Sequence, residues 1–208
     1  MTALRRTARW RSSGPALHSP SLVEPQIEPT ITAALLIIDI QHALCSGAEA
    51  AFGIESVIEK INAMSARARA SASPVILIQH EEDEGPLRFG HEGWSPAAGL
   101  LTAAEDIRLR KKTPNSFHGT DLHRLLQDRG VSHVVICGLQ TEFCVDTTVR
   151  QALPLGYCVT LAADAHSTTD GALLAEQVIA HHNRTLRWMT SYGPSIEVKP
   201  AAEVAFQG

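Results

Sequence analysis

The sequence predicts an α/β fold of three layers, in which helices cover both faces of a mostly parallel six-stranded sheet. Short apolar runs rich in β-branched residues recur along the chain, as they do in strands that are buried on both faces. Segments with a helical spacing of apolar residues separate these runs. Because strands that alternate with helices are joined by right-handed crossovers, they pair in parallel and place helices on both faces of the sheet.

Six segments carry the strand pattern, namely residues 33–39, 74–80, 107–112, 131–137, 157–163 and 195–198. The helical pattern is found in residues 54–70, 120–129, 142–153 and 171–190. Between the second and third strands, residues 81–98 are acidic, contain Gly and Pro, and predict a long loop. A loop of this length in a compact domain is usually functional.

The first 31 residues differ in composition from the rest of the chain. They are rich in Arg, Ser and Pro, show no periodicity, and include four arginines before the first acidic residue. We interpret residues 1–31 as an irregular tail and residues 32–208 as one domain, since 208 residues are short for two. An organellar transit peptide has the same Arg-rich, acid-poor composition and is the alternative.

Composition narrows the possible functions. The chain is 44% hydrophobic and 19% charged, which is ordinary for a soluble globular protein. Its net charge of −4 gives no reason to expect binding to nucleic acid or to a membrane surface. No apolar run reaches the ~18 residues of a membrane-spanning helix. The four cysteines (Cys45, Cys137, Cys144 and Cys158) lack disulfide-framework or metal-site spacing and predict a reduced, cytoplasmic protein.

A cysteine follows the fourth predicted strand at the point where a helix begins. The apolar run 134–137 stops at Gly138, a short polar turn comes next, and Cys144 opens the helical pattern. A thiol in a first helical turn faces unpaired N–H groups and the positive end of the helix dipole. Both favour the thiolate, so the pattern predicts a nucleophile. A buried structural thiol is the alternative.

Two further polar residues end strands of the same predicted sheet. Asp39 ends the first strand, and Lys111 ends the third. The carboxyl ends of parallel strands meet at one edge, so both side chains are expected beside Cys144. The carboxylate can take the thiol proton, and the ammonium favours the thiolate. Amides around Gln140 and Cys144 can hold an oxyanion, and one such donor is worth ~3 kcal/mol.

Three blocks of sequence resemble the isochorismatase-like cysteine hydrolase superfamily. They are Ile37-Ile38-Asp39-Ile40-Gln41, then Lys111-Lys112-Thr113-Pro114-Asn115-Ser116-Phe117 with Thr120 and Leu122, and Gly138-Leu139-Gln140-Thr141-Glu142-Phe143-Cys144-Val145. The resemblance covers about residues 33–199. It implies a metal-independent amidohydrolase with a six-stranded parallel sheet of Rossmann-like topology. It also implies a homo-oligomer, dimer or tetramer, in which a neighbouring subunit helps to shape the pocket.

The resemblance assigns roles to individual residues. It implies a catalytic triad of Asp39, Lys111 and Cys144, in which Lys111 rather than Lys112 stands six residues before Phe117. It also implies a non-proline cis peptide at Leu139–Gln140. In the family, this bond directs the amides of Gln140 and Cys144 toward the oxyanion.

Two departures from relatives of known chemistry bear on the reaction. Metal-dependent nicotinamidases of the superfamily carry Asp-x-His after the second strand. Here the residues are Gln79-His80-Glu81-Glu82-Asp83, so we predict no metal and no other cofactor. Isochorismatases generally lack the cysteine, so Cys144 favours hydrolysis of a C–N bond in a small-molecule amide, through a thioester.

Candidate substrate-binding residues surround the predicted triad; they are Gln41, His80, Phe89, Trp94, Phe117 and Thr141. His80 has a second interpretation as the polar end of a strand, and the three aromatic residues have one as core. His166 is predicted to follow the fifth strand and line a turn.

The sequence thus predicts a cytoplasmic cysteine hydrolase that cleaves an amide or carbamoyl bond through an acyl-enzyme. An isochorismatase-type vinyl-ether hydrolase, in which Asp39 protonates carbon and the cysteine is dispensable, is the enzymatic alternative. A non-catalytic binding or thiol-sensing protein on the same fold is the alternative of another class.

Overall fold

All six strands run parallel in one sheet of order β3-β2-β1-β4-β5-β6. The computed structural model describes residues 32–206. The strands are β1 (Thr32–Ile38), β2 (Val75–His80), β3 (Ile107–Lys111), β4 (Val131–Leu139), β5 (Cys158–Ser167) and β6 (Ile196–Lys199). The predicted α/β fold with a six-stranded sheet is therefore confirmed.

Helices connect consecutive strands except β2 and β3, which are joined by a long loop. The helices are α1 (His42–Cys45), α2 (Ile54–Ala70), α3 (Leu122–Gln127), α4 (Asp146–Ala152) and α5 (Ala175–Arg187). Short 3₁₀ turns occupy Glu92–Trp94 and Ala201–Glu203, and a π-helical turn, Thr141–Val145, precedes α4.

Each face of the sheet has its own apolar core. Along β1, Leu36 and Ile38 pack into the core with α3 and α4, whereas Leu35 and Ile37 pack into the core with α2. All four side chains are at most 1% exposed. Successive side chains of a strand point to opposite faces, so a central strand must be apolar throughout. This explains the uninterrupted apolar runs, whose large members each contribute ~1.5–3 kcal/mol when buried.

The chain order changes direction between β1 and β4, which are neighbours in the sheet. From β1 the chain proceeds outward through β2 to β3, and from β4 it proceeds the other way through β5 to β6. A crevice forms at the carboxyl ends of the strands where such a change of direction occurs. Asp39 follows β1 and Cys144 follows β4. The topology therefore places both at this crevice.

Gly138 allows β4 to lie close against β1. Its φ is 114°, and a Cβ there would lie 2.7 Å from the Ile38 nitrogen and closer still to the Ile38 carbonyl oxygen. No side chain fits in this space, so only glycine is compatible. The residue paired with Gly138 on β1 is Ile38, directly before Asp39.

The predicted elements differ from the observed ones mainly at their ends. The helix predicted at 171–190 begins only at Ala175, and the helix predicted at 142–153 begins as the π-helical turn. β5 extends to Ser167, four residues beyond its predicted end, and its register shifts opposite the Ile136–Gly138 stretch of β4. Polar residues in the second half of β5 hide this extension from a hydrophobic pattern. The tail predicted for residues 1–31 lies outside the described residues.

Candidate active site

Lys111, at the end of β3, links the two other residues predicted to be catalytic. Its Nζ lies 2.7 Å from Oδ2 of Asp39 and 3.2 Å from Sγ of Cys144. The Lys111 side chain is fully buried and that of Asp39 is 2% exposed, so this charge pair is held away from water. The fold thus brings together three residues that lie on three different strand ends.

The backbone turns sharply at Asp39. Its φ of 53° lies in the left-handed region, which non-glycine residues seldom adopt and which clusters at functional sites. Its amide donates to the carbonyl of Ile78 at 2.8 Å, which ties the turn to β2. Within residues 32–206, Oδ1 of Asp39 is buried and has no hydrogen-bond partner. One carboxylate oxygen is thus paired with Lys111, and the other is free to accept a proton.

The surroundings of Cys144 favour its thiol over its thiolate. Its burial, and then the negative charge of Asp39, raise the pKa of Cys144 to about 12, although Lys111 acts in the opposite direction. The pKa of this thiol is thus raised rather than lowered, which differs from the sequence-based expectation that its surroundings favour the thiolate. Loss of water around the sulfur outweighs the nearby ammonium. The site instead places a thiol beside a carboxylate that can take its proton.

His80, the last residue of β2, contacts the lysine of this cluster. Its Nδ1 lies 3.5 Å from Nζ of Lys111. Burial and the positive charge of Lys111 lower the pKa of His80, so the imidazole is neutral at neutral pH. Its Nε2 faces Oε1 of Glu82 at 3.9 Å. The ammonium of Lys111 therefore has a carboxylate, a sulfur and a neutral imidazole as neighbours.

The turn that carries Cys144 begins at a cis peptide bond. This bond joins Leu139 and Gln140, where the family resemblance implied it. The Gln140 carbonyl accepts the amides of both Phe143 and Val145 at 3.1 Å. The amide of Cys144, between them, does not bond to this carbonyl. The turn is thus closed around Cys144 without using the amide that was predicted to hold an oxyanion.

Gln41 fixes the neighbouring loop rather than offering its side chain to a ligand. Its Nε2 donates to the carbonyls of His80 and Trp94, and its Oε1 accepts the His80 amide. The side chain is completely buried. Gln79 donates a second hydrogen bond to the Trp94 carbonyl at 2.9 Å. These contacts attach residues 81–98 to the ends of β1 and β2.

Two aromatic residues of that loop pack against each other. The Phe89 and Trp94 rings meet edge to face, with centroids 4.8 Å apart, and the guanidinium of Arg110 lies 4.4 Å from the Phe89 centroid. Phe89 remains 52% exposed. Together they form a surface beside β3 at the same edge of the sheet as Lys111.

The last two candidates for substrate binding have other contacts. Phe117 packs against the core on the α3–α4 face and stacks with Tyr157 at 5.9 Å between centroids. Thr141 is fully buried, and its hydroxyl lies 2.8 Å from Nδ1 of His166. Among the six candidates, His80 is the one whose side chain has a polar contact with the triad in the described hydrogen bonds.

An open cavity of about 750 Å³ adjoins the triad on the β3 side. Its lining includes Lys111, Lys112, His118 and Asp121, but neither Asp39 nor Cys144. Cys144 is itself half-buried. The cavity within one chain thus does not enclose Sγ of Cys144.

Two kinds of feature are absent from residues 32–206. No cluster of three or more His, Cys, Asp or Glu side chains is arranged to hold a metal ion. In this same part of the chain, none of the helices has the length and apolar character needed to cross a membrane.

Comparison with known families shows which family this chain belongs to. A family model described as the isochorismatase domain matches residues 33–191, which is most of the chain. The chain belongs to the isochorismatase family. The predicted resemblance is therefore confirmed, and the chain is an isochorismatase-family hydrolase.

This chain is similar to two streptothricin hydrolases from Streptomyces noursei. One is 34% identical over 83% of this chain and 64% of its own length, so this chain spans less than two thirds of that relative. The other is 32% identical over 95% of this chain and 82% of its own length. The ureidoacrylate amidohydrolase RutB of Caulobacter vibrioides is 28% identical over 73% of this chain and 81% of the relative.

Solved structures of the isochorismatase family share the fold. A crystal structure of an isochorismatase family protein has 36% sequence identity and a TM-score of 0.73, and the match covers 80% of this chain and 97% of that one.

Sequence reasoning missed one buried histidine of this isochorismatase-family site. His166 was predicted to line a turn, but it lies within β5, opposite Gly138 of β4, and is 1% exposed. Its two ring nitrogens contact Thr141 and Asn183. The alternation of Asp164, Ala165, His166 and Ser167 was the available signal for a strand, but it is not apolar enough to stand out.

Proposed function

We propose that this isochorismatase-family protein hydrolyses an amide or carbamoyl C–N bond of a small molecule through a thioester on Cys144. The observation that carries the proposal is the contact of Lys111 Nζ with both Asp39 and Cys144, at 2.7 and 3.2 Å in a buried cluster. A nucleophile, a proton acceptor and a cation within direct reach of one another are the components of nucleophilic catalysis.

In the first step, Sγ of Cys144 attacks the acyl carbon while its proton moves to Asp39. Proton transfer has to accompany the attack, because burial raises the pKa of the thiol to about 12. Oδ1 of Asp39, buried and unpartnered among the described residues, is the acceptor. Lys111 keeps its contact with Oδ2 and prevents the cluster from accumulating negative charge.

The tetrahedral intermediate carries a negative oxygen, for which the amides of Gln140 and Cys144 are the proposed donors. Preorganised donors of this kind are worth about 3 kcal/mol each. The intermediate collapses when the C–N bond breaks and Asp39 returns its proton to the leaving nitrogen. Asp39 then deprotonates a water molecule, which attacks the thioester. The C–S bond breaks, the acid product leaves, and Asp39 returns the proton to the sulfur to restore the thiol.

The names of the relatives agree with a C–N substrate. The relative from Caulobacter vibrioides is named an amidohydrolase, and two relatives are named streptothricin hydrolases. These names describe those proteins, and we extend only the reaction class to this chain.

The decisive experiment traps the acyl-enzyme. The protein is incubated with a library of primary amides, carbamoyl compounds and activated esters, quenched in acid, digested, and analysed by mass spectrometry. We expect an acyl group on the peptide that contains Cys144. Cys144→Ala should remove this adduct and lower turnover by at least about 1,000-fold.

Cys158→Ala is the matched control, since Cys158 is a half-buried free cysteine at the start of β5, at the opposite edge of the sheet. It should retain both adduct and turnover. Full amidase activity in Cys144→Ala would refute the proposal. Cleavage of a vinyl ether by Cys144→Ala, with loss of that cleavage in Asp39→Asn, would favour the ether-hydrolase alternative.

A further inference from the structure

His166 stands at the centre of a buried hydrogen-bonded chain that begins at the oxyanion turn. The Thr141 hydroxyl lies 2.8 Å from His166 Nδ1, and His166 Nε2 lies 3.0 Å from Oδ1 of Asn183 in α5. Asn183 in turn donates from Nδ2 to the Ala163 carbonyl at 2.9 Å. Thr141 and His166 are 0% and 1% exposed.

The direction of each hydrogen bond in this chain is determined. Because Nδ2 of Asn183 donates to a carbonyl, its Oδ1 must accept, and Nε2 of His166 therefore carries the ring proton. Nδ1 of His166 then has a lone pair, so the hydroxyl of Thr141 is the donor. Burial lowers the pKa of His166 to about 4, which keeps the imidazole in this neutral form.

These hydrogen bonds connect β5 and α5 to the first residue of the turn that carries Cys144. Thr141 directly follows Gln140 and starts the π-helical turn that ends at Val145. No side chain caps this turn at Gln140. A second contact from the same side, Thr168 Oγ1 to Glu142 Oε1 at 2.9 Å, lies one residue farther along the turn. The rigid strand β5 and helix α5 thus hold the segment that carries the proposed oxyanion donors.

We propose that His166 is a positioning residue for the oxyanion turn: held by Asn183, it fixes Thr141 and thereby the amides of Gln140 and Cys144. This inference rests on the proposed function. Small errors in the position of donors are costly, because electrostatic stabilisation of a transition state requires them to be preorganised. His166 acts through Thr141 and does not contact Asp39, Lys111 or Cys144 in the described hydrogen bonds.

The test compares two reactions of the same sulfur. Acylation by p-nitrophenyl acetate forms a C–S bond, expels p-nitrophenolate, transfers the thiol proton to Asp39, and passes through an oxyanion. Alkylation by iodoacetamide forms a C–S bond, expels iodide, transfers the same proton, and forms no oxyanion. The ratio of the two rates therefore isolates the oxyanion turn from the reactivity of the thiol.

We expect Thr141→Val to lower the acylation rate at least about 10-fold and to leave alkylation within about twofold. Thr141→Ser keeps the hydroxyl and should restore most of the acylation. Hydrogen exchange of the peptide that covers residues 139–146 should be faster in Thr141→Val, because the turn is less firmly held. His166→Asn is a second variant that should lower the same ratio.

Thr160→Val is the matched control. Like Thr141, Thr160 is a buried threonine whose hydroxyl contacts a histidine, Nε2 of His133 at 2.9 Å, but it lies in β5 near the amino ends of β4 and β5. Thr160→Val should leave unchanged both the ratio of acylation to alkylation rates and the hydrogen exchange of residues 139–146. This should hold even if it lowers thermal stability as much as Thr141→Val does.

The outcomes distinguish failure of the positioning role from failure of the proposed function. An unchanged ratio in Thr141→Val, an unchanged exchange rate, or an equal fall of the ratio in Thr160→Val would overturn the positioning role. A wild-type protein that is alkylated but never acylated would instead refute the proposed function. In that case hydrogen exchange of residues 139–146 in Thr141→Val alone decides whether the contact between Thr141 and His166 holds the turn.

Discussion

At the scale of single residues, burial determines the protonation states of the site. Cys144 is a thiol because it loses water, and His80 is neutral because it is buried beside Lys111. The buried pair of Lys111 and Asp39 remains in contact at 2.7 Å. A charge in such a place needs its partner, since an unpaired buried charge is far more costly than an exposed one. The roles of the two adjacent lysines, 111 and 112, should therefore be very different.

Lys111→Met should lower kcat/KM at least about 100-fold, equivalent to about 2.7 kcal/mol in the barrier. It should also lower the free energy of unfolding by about 3–5 kcal/mol, because Asp39 is left buried without its cation. Lys112→Met is the control: Lys112 is 59% exposed and contacts only Asp83 in the described salt bridges. Steady-state kinetics and urea denaturation of both variants would test this, and equal effects at the two positions would contradict it.

The lowered pKa of His166 predicts that the free energy of unfolding depends on pH. Its pKa is about 4 in the folded protein and about 6.5 in the unfolded chain, with burial as the main cause, aided by His182 and opposed by Asn183 and Asp164. Between these values the unfolded chain binds a proton that the folded protein does not, so stability falls as the pH decreases from 6.5 toward 4. At pH 5 the loss is about 2 kcal/mol.

Denaturation at pH 7 and pH 5 measures this loss. His166→Asn should show a smaller decrease in the free energy of unfolding between the two pH values than wild type, by about 2 kcal/mol. The exposed histidine His118 supplies a control variant, His118→Asn, that should keep the wild-type decrease. The same decrease in wild type and His166→Asn would show that the imidazole is not buried in its neutral form.

At the scale of elements, the site depends on how strands end. β4 must lie against β1 without a side chain between them, and β5 must extend far enough to place His166 opposite Gly138. These backbone contacts fix the carboxyl ends of the neighbouring strands β1, β4 and β5. Substitutions at the backbone contact should thus be more damaging than those at an ordinary turn.

Gly138→Ala should destabilise the protein by at least about 4 kcal/mol or prevent folding, because the methyl group meets the backbone of Ile38 and the φ of 114° is unfavourable. Gly130→Ala is the comparison: its φ is 63°, but no atom lies within 4 Å of the added Cβ. That change should cost only about 1–2 kcal/mol. Thermal denaturation of both variants is the measurement, and similar losses would contradict the importance of the close approach.

At the scale of the whole molecule, one chain leaves the sulfur of Cys144 incompletely enclosed. The 750 Å³ cavity is lined by Lys111 but not by Cys144, and Phe143, beside Cys144, is 53% exposed. Large apolar side chains at a surface often belong to an interface. The homo-oligomer expected from the family resemblance would cover such groups, and it stays a prediction, as does the cytoplasmic location.

Sedimentation velocity of the wild-type protein should give a mass at least twice that of one chain, as expected for a homo-oligomer. Phe143→Glu should weaken assembly and lower kcat/KM at least about 10-fold, since a partner is expected to complete the pocket. Phe52→Glu, at another apolar residue that is 46% exposed, provides a comparison of similar chemistry. A monomeric wild-type protein with full activity at all concentrations would contradict this prediction.

Local pattern alone determined the α/β class and the positions of the six strands along the chain, and it placed Asp39 after the first strand and Cys144 after the fourth. These follow from the sequence because a strand covered on both faces must be apolar and because parallel strands present their ends at one edge. The family resemblance then selected Lys111 over its neighbour. Among residues 32–206, this choice agrees with the contacts that Lys111 makes.

Only the tertiary structure decided the protonation of Cys144, the use of Gln41 to hold a loop, and the position of His166 inside β5. Each depends on groups that are distant in sequence and close in space: Asp39 beside the thiol, Trp94 beside Gln41, and Asn183 beside the imidazole. Desolvation and hydrogen-bond direction arise from that packing. No local pattern of residues contains this information, and it determines whether the cysteine rests as thiol or thiolate.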